Sequence, residues 1–176
     1  MHPRVIISPF LIAALAITTP AASWAEIEKA SSQSPVREPS APRLQSLGKH
    51  VFPVSTGNPL AQQYINQGLN LAFGFNHAEA RQAFREAARL DPDLAMAYWG
   101  QALVLGPNIN AMMEPNEEPQ ALEIMQQAKS LMTRATEKER ALINALEKRY
   151  SGKAEQRTTN DKAYAAAMRD VHRRFP

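Results

Sequence analysis

From residue 59 onward the apolar positions recur at spacings of three and four, the period of a helix with one buried face. Tyr64, Ile65, Leu69, Leu71, Ala72 and Phe73 mark the first such stretch, which opens at Pro59 and closes at Gly74. Asn76 then stands where a helix N-cap belongs, with Glu79 three residues on as its capping-box partner. That second helix carries Ala80, Ala83, Phe84, Ala87 and Ala88 on its apolar face and stops near Leu90-Asp91-Pro92. Proline cannot continue a helix interior but can open the next helix. A third helix is predicted from about Asp93 to Leu105, with Tyr98, Ala102 and Leu105 along one side.

The period is lost over Gly106–Glu118, where Pro107, Asn108, Asn110, Pro115 and Asn116 make a loop. A fourth helix is predicted over about Pro119–Met132. Thr136 with Glu139 predicts another capping box and a fifth helix to about Tyr150, ended by Ser151-Gly152. A sixth falls within Asn160–Arg174.

The first 58 residues lack this period. Residues 1–25 combine Arg4, the uncharged apolar run Val5–Thr19 and the small residues Ser23 and Ala25, the layout of a secretory signal peptide cleaved after Ala25. The run is shorter than the roughly 20 apolar residues of a spanning helix, and Pro9 breaks it. A periplasmic or secreted product with no stable membrane insertion after cleavage is expected. Residues 26–58 read as a Pro/Ser-rich linker and extended segment. Glu26–Leu47, with Pro35, Pro39 and Pro42, is expected to be flexible, and Val51–Val54 to be extended with Phe52 as a packing anchor.

Shifting the chain by 34 residues places Tyr64 on Tyr98, Gly68 on Ala102 and Leu71 on Leu105. The pattern Tyr64, Gly68, Leu71, Ala80, Phe84, Ala87, Pro92 resembles a tetratricopeptide repeat, in which small residues let two helices approach and large ones fill the gaps. A second unit begins with Tyr98, Ala102 and Leu105 and continues with Ala121, Met125 and Ala128, about seven extra residues falling in the loop. The resemblance implies an all-α fold, an antiparallel helix-pair α-solenoid of about three pairs: 59–92, 93–134 with the loop insertion, and a degenerate pair 135–176. The stretches Gln67-Gly68-Leu69, Gly74-Phe75-Asn76-His77, Phe84-Arg85-Glu86-Ala87-Ala88, Met96-Ala97-Tyr98-Trp99-Gly100 and Gly106-Pro107-Asn108-Ile109-Asn110 are similar to the N-terminal part of longer exported bacterial proteins of this class. The stop at Phe175-Pro176 with no polar capping helix is then expected to leave an open C-terminal edge that invites self-association, and the chain reads as a fragment of a longer one.

Composition narrows the chemistry. Charge is nearly balanced, 20 basic against 17 acidic side chains, which gives no pull toward nucleic acid. With no cysteine, disulfides and thiol chemistry are excluded. The chain contains no H-E-x-x-H, G-x-S-x-G, P-loop or glycine-rich dinucleotide turn, so no enzyme activity and no cofactor are expected. His50, His77 and His172 are far apart and no metal site is expected; Asp91-Pro92-Asp93 reads as a helix break. The basic side chains between Lys148 and Arg174 alternate with Glu155, Asp161 and Asp170 as a solvated face.

In the tetratricopeptide arrangement the first helices line a concave groove. The positions expected there are Gln62, Ile65, Leu69 and Phe73, then Met96, Trp99 and Leu103, mostly apolar or aromatic and suited to an apolar peptide or amphipathic helix. The competing expectation is that Val51–Val54, or helices beyond this chain, fill the groove. The reading is a protein-interaction scaffold that binds a protein or peptide partner; the alternative is a non-catalytic N-terminal portion of a larger exported enzyme. Intact mass of the exported protein checks the cleavage: it should correspond to a chain beginning at Glu26.

Overall fold

The computed structural model describes residues 39–114 and 116–176, and within them the only regular elements are helices. The predicted signal peptide and the first part of the predicted linker lie outside the described residues. Six α-helices follow in order: α1 Pro59–Phe73, α2 His77–Leu90, α3 Ala95–Leu105, α4 Glu117–Ser130, α5 Glu137–Glu147 and α6 Arg157–Arg174. Short 3-10 turns at Met132–Arg134 and Ala154–Gln156 precede α5 and α6. Consecutive helices pack as α1 on α2, α3 on α4 and α5 on α6, and α2 also packs on α3.

Local chemistry sets the helix ends. Asn58 caps α1: its Oδ1 accepts from the Leu60 and Ala61 amides at 3.0 and 3.2 Å, and its Nδ2 donates to the Leu90 carbonyl at 3.0 Å. The capping box at Thr136 and Glu139 forms as the sequence predicts, with both reciprocal bonds present. The one predicted at Asn76 does not form, because Asn76 makes no side-chain cap bond. Its amide instead closes α1, donating to Leu71 O at 2.9 Å while the Phe75 amide donates to Ala72 O at 3.1 Å. This closure puts Phe75 in the left-handed region, at φ +60. The fourth helix begins at Glu117 and ends at Ser130, about two residues earlier at each end than the sequence predicts.

The core is built around Phe84 of α2, which is fully buried. A Cβ on Gly68 of α1 would lie 2.6 Å from this ring, and a Cβ on Gly100 of α3 would overlap it as well. One aromatic ring is thus wedged against bare backbone on the helices either side. Ala61, Ala80, Ala83, Ala87, Ala97 and Ala102, all inaccessible to solvent, continue the close approach of these three helices. Ala121, Met125 and Ala128 of α4 do the same for the next pair. The last helix is shallower: only Asn160 and Val171 of α6 are buried, with Tyr164, Ala167 and Met168 partly so.

The predicted linker reaches further into the fold than expected. Ser40, Ala41, Pro42 and Leu44 are held by hydrogen bonds from side chains of α1 and α2, where a flexible tether is expected. Phe52 packs half-buried against the core, the anchoring role predicted for it.

Phe84→Ala should lower the unfolding free energy by about 3–5 kcal/mol, and Gly100→Ala by about 1–3 kcal/mol through overpacking against the same ring. Urea denaturation with an unchanged m value checks both.

Candidate functional site: an exposed aromatic edge and a bound extended segment

Six of the seven positions expected to line an open groove, all but Gln62, separate into two groups. Ile65, Leu69, Met96 and Trp99 are buried in the hydrophobic core, Trp99 with 7% of its surface exposed. This corrects the expectation that they face a partner. Ile65, Leu69 and Trp99 sit within α1 and α3 and Met96 in the first turn of α3, and all four pack into the hydrophobic core. The Trp99 indole N–H is buried and makes no hydrogen bond. Phe73 and Leu103 differ. Phe73, the last residue of α1, is 75% exposed, and Leu103 is partly buried near the end of α3.

Phe73 and Leu103 share a shallow cavity with Ala72, His77, Val104, Pro107 and Asn108. Beside it stands Phe75, exposed and edge-on to His77 with ring centroids 6.3 Å apart. A left-handed φ in a bulky non-glycine residue costs about 1 kcal/mol or more. Glycine would relieve that strain, yet the chain holds an aromatic ring there. The His77 Nδ1 lies 3.1 Å from the Asn108 Nδ2, joining the start of α2 to the loop before α4. That loop carries Ile109, 87% exposed, and Met112, also exposed. Pro107 borders a second cavity, lined by Met112, Met113, Glu118 and Arg157, so the apolar edge continues from Phe73 onto the loop.

The loop is held from below by a charged cluster. Arg149 donates to the Pro107 carbonyl and lies over the Tyr164 ring at 5.1 Å. Arg157 pairs with buried Glu118 at 2.7 Å, and Glu118 also accepts from the Ser151 and Gly152 amides at 3.0 Å each. Tyr150 donates to Ala102 O at 2.6 Å, and burial pushes its phenol pKa well above the ordinary range. Of the basic side chains expected on a solvated face, Arg157 is largely buried against Glu118, whereas Arg173 with Asp170 and Arg174 with Glu137 form exposed surface pairs.

Nearer the start of α1 the extended segment is bound through its backbone. The Gln67 side-chain amide accepts from Leu44 N at 2.9 Å and donates to Pro42 O at 2.9 Å. Gln62 repeats this arrangement five residues earlier, accepting from Val54 N at 2.9 Å and donating to Phe52 O at 2.8 Å. Asn66 accepts from Phe52 N at 3.0 Å, and Tyr64 donates to Ala41 O at 3.0 Å. Two buried carboxylates complete the hold. Glu86 of α2 accepts from Ser40 N at 2.8 Å, and Glu139 of α5 accepts from both the amide and the hydroxyl of Ser55 at 2.7 Å. Thr56 donates its hydroxyl to Asp91 at 2.5 Å. The Lys138 ammonium lies over the Phe52 ring at 5.5 Å. Of the positions expected to face inward, Gln62 does so, but toward this chain's own segment.

A polar cleft among α2, α3 and α4 is lined by Arg81, Arg85, Tyr98, Gln101 and Glu123. Burial lowers the Arg81 pKa, and its Nε and Nη2 lack partners. Among the described residues no three His, Asp or Glu side chains stand close enough to hold a metal ion, and no helix is long and apolar enough to cross a membrane. Comparison of the chain with protein-family models, with curated proteins and with solved structures finds no match.

The Arg89 guanidinium hydrogen-bonded to Glu86 holds that carboxyl below the usual carboxylate range, against the opposing effect of burial. A depressed folded-state pKa gives stability that is present above the unfolded value of about 4.3 and is lost as pH falls through the folded value. Unfolding free energy should therefore fall below about pH 4.3. In Glu86→Gln that decline should be shallower, as measured by urea titrations at stepped pH.

Proposed function

We propose that the chain is an exported protein-interaction scaffold of the tetratricopeptide type, its helix pairs arranged as an α-solenoid, and that it meets its protein partner along the Phe73–Phe75–Leu103 edge and the adjoining loop. The observation that carries this reading is Phe75. An exposed aromatic held in left-handed backbone beside a second exposed aromatic is unfavourable for the isolated chain twice over, in backbone strain and in solvated apolar surface. Such strain is retained where it serves contact. The sequence pattern Tyr64, Gly68, Leu71, Ala80, Phe84, Ala87, Pro92 supports the repeat class, since its small and large residues meet as that class requires. The signal-like residues 1–25 support export to the periplasm or beyond. A scaffold of this kind is not an enzyme and needs no cofactor.

Phe75→Gly should keep or slightly raise the melting temperature, because glycine adopts the left-handed conformation freely. Phe73→Ala and Leu103→Ala should lower it little compared with Phe84→Ala. Capture of the envelope partner by residues 26–176 should weaken by roughly thirtyfold for Phe73→Ala or Phe75→Gly, the size of a hot-spot loss of about 2 kcal/mol. Undiminished capture by both variants would place the partner surface elsewhere.

A further inference from the structure

Gln62 and Gln67 treat the segment before α1 in one way. Each side-chain amide accepts from the N–H of one residue and donates to the C=O two residues earlier: Val54 and Phe52 for Gln62, Leu44 and Pro42 for Gln67. These are the two groups that an extended chain presents along one edge, the groups a neighbouring strand would bond. Asn66 adds the Phe52 amide, and Glu139 adds the Ser55 amide and hydroxyl. Five of these seven bonds go to backbone amides or carbonyls at Phe52, Val54, Pro42 and Leu44, so they hold for any residues there that keep the donating N–H, proline alone excluded at 44, 52 and 54. A sixth takes the Ser55 amide, and only the Ser55 hydroxyl bond reads a side chain.

The side chains are read more loosely. Phe52 and Val54 turn half-buried onto the core, while Val51 and Pro53 between and beside them are exposed. The segment makes one backbone–backbone bond of its own among its bound residues, Thr56 N to Val54 O at 2.8 Å. Its hold is thus supplied by side chains of α1, α2 and α5.

We propose that residues 50–56 are a resident ligand in a peptide-docking surface on α1 and α5, and that the surface accepts in their place an extended segment of another chain with the same chemistry. That segment has two apolar side chains two residues apart and a hydroxyl residue directly after the second. The cis segment holds the surface closed, and release of the segment opens it. This surface uses Gln62, Asn66 and Glu139, none of which belongs to the Phe73–Phe75–Leu103 edge, so the two readings stand or fall separately.

The test uses the full chain and a fluorescein-labelled synthetic peptide covering Lys49–Gly57, with the reversed sequence as control. The segment is weakened in cis by Phe52→Ser with Val54→Ser, changes outside the helices that remove its two half-buried apolar contacts with the core. Anisotropy titration should show the peptide binding the weakened variant at least tenfold more tightly than the parent, because the competing cis segment no longer fills the site. Adding Gln62→Ala to the weakened variant should remove at least tenfold of that gain. Equal binding to parent and weakened variant, or equal binding of the reversed peptide, would overturn the proposal. Amide hydrogen exchange on the parent gives a second reading that needs no variant to fold. The Val54 and Ser55 amides should exchange at least tenfold faster than those of Phe84 and Ala87, since the segment opens without unfolding the helices. If all four exchange at the same rate, the segment is inseparable from the core and the docking surface does not exist.

Discussion

The packing of Phe84 against Gly68 and Gly100 is the contact on which the rest of the structure depends. α2 lies against α1 on one side and α3 on the other, and both approaches converge on this ring. A side chain on either glycine would occupy space the ring already fills. Close backbone approach then leaves no room for more than methyl groups nearby, which accounts for the alanines that make up so much of the inner surface. Further along the chain the same economy of volume recurs at Ala121 and Ala128. α6 lacks it, and packs through scattered half-buried residues.

Polar side chains do a second kind of structural work. A helix has satisfied its own backbone groups, so it can bind an extended segment only through side chains. Gln62, Asn66 and Gln67 supply the donors and acceptors that a strand would otherwise provide. The carboxylates of Glu86 and Glu139, each almost fully buried, stay satisfied because amides and hydroxyls of that segment, with Arg89 and the Thr136 amide, surround them. Burial of these acids and placement of the segment are therefore one event.

The apolar edge follows from where helices end. In mid-helix, neighbours on both sides cover an apolar residue, as they cover Ile65 and Trp99. At the last residue of α1 no further turn exists to be covered, and Phe73 is left in solvent. The closure of α1 sets Phe75 beside it in a conformation that a bulky residue seldom takes. The loop before α4 extends the same surface, pinned by Arg149 and by the His77–Asn108 contact.

The sequence by itself determined the helices, because the three-and-four spacing of apolar residues and the capping chemistry at Thr136 are local properties. It determined Phe84 as core and Gly68 as a close-approach position, since volume along one helix face is read directly from residue type. Gly100 has the same meaning, but next to Trp99 residue type alone does not separate packing from binding. The exposure of individual apolar residues was decided only by the tertiary structure. Ile65, Leu69, Met96, Trp99 and Phe73 are alike in type and spacing, and what distinguishes them is which neighbouring element covers them. Only tertiary structure, too, turned a proline-rich stretch with no period into a bound segment. Its partners Gln62, Gln67, Glu86 and Glu139 lie between 8 and 84 residues away along the chain, and no local pattern carries a pairing over that distance.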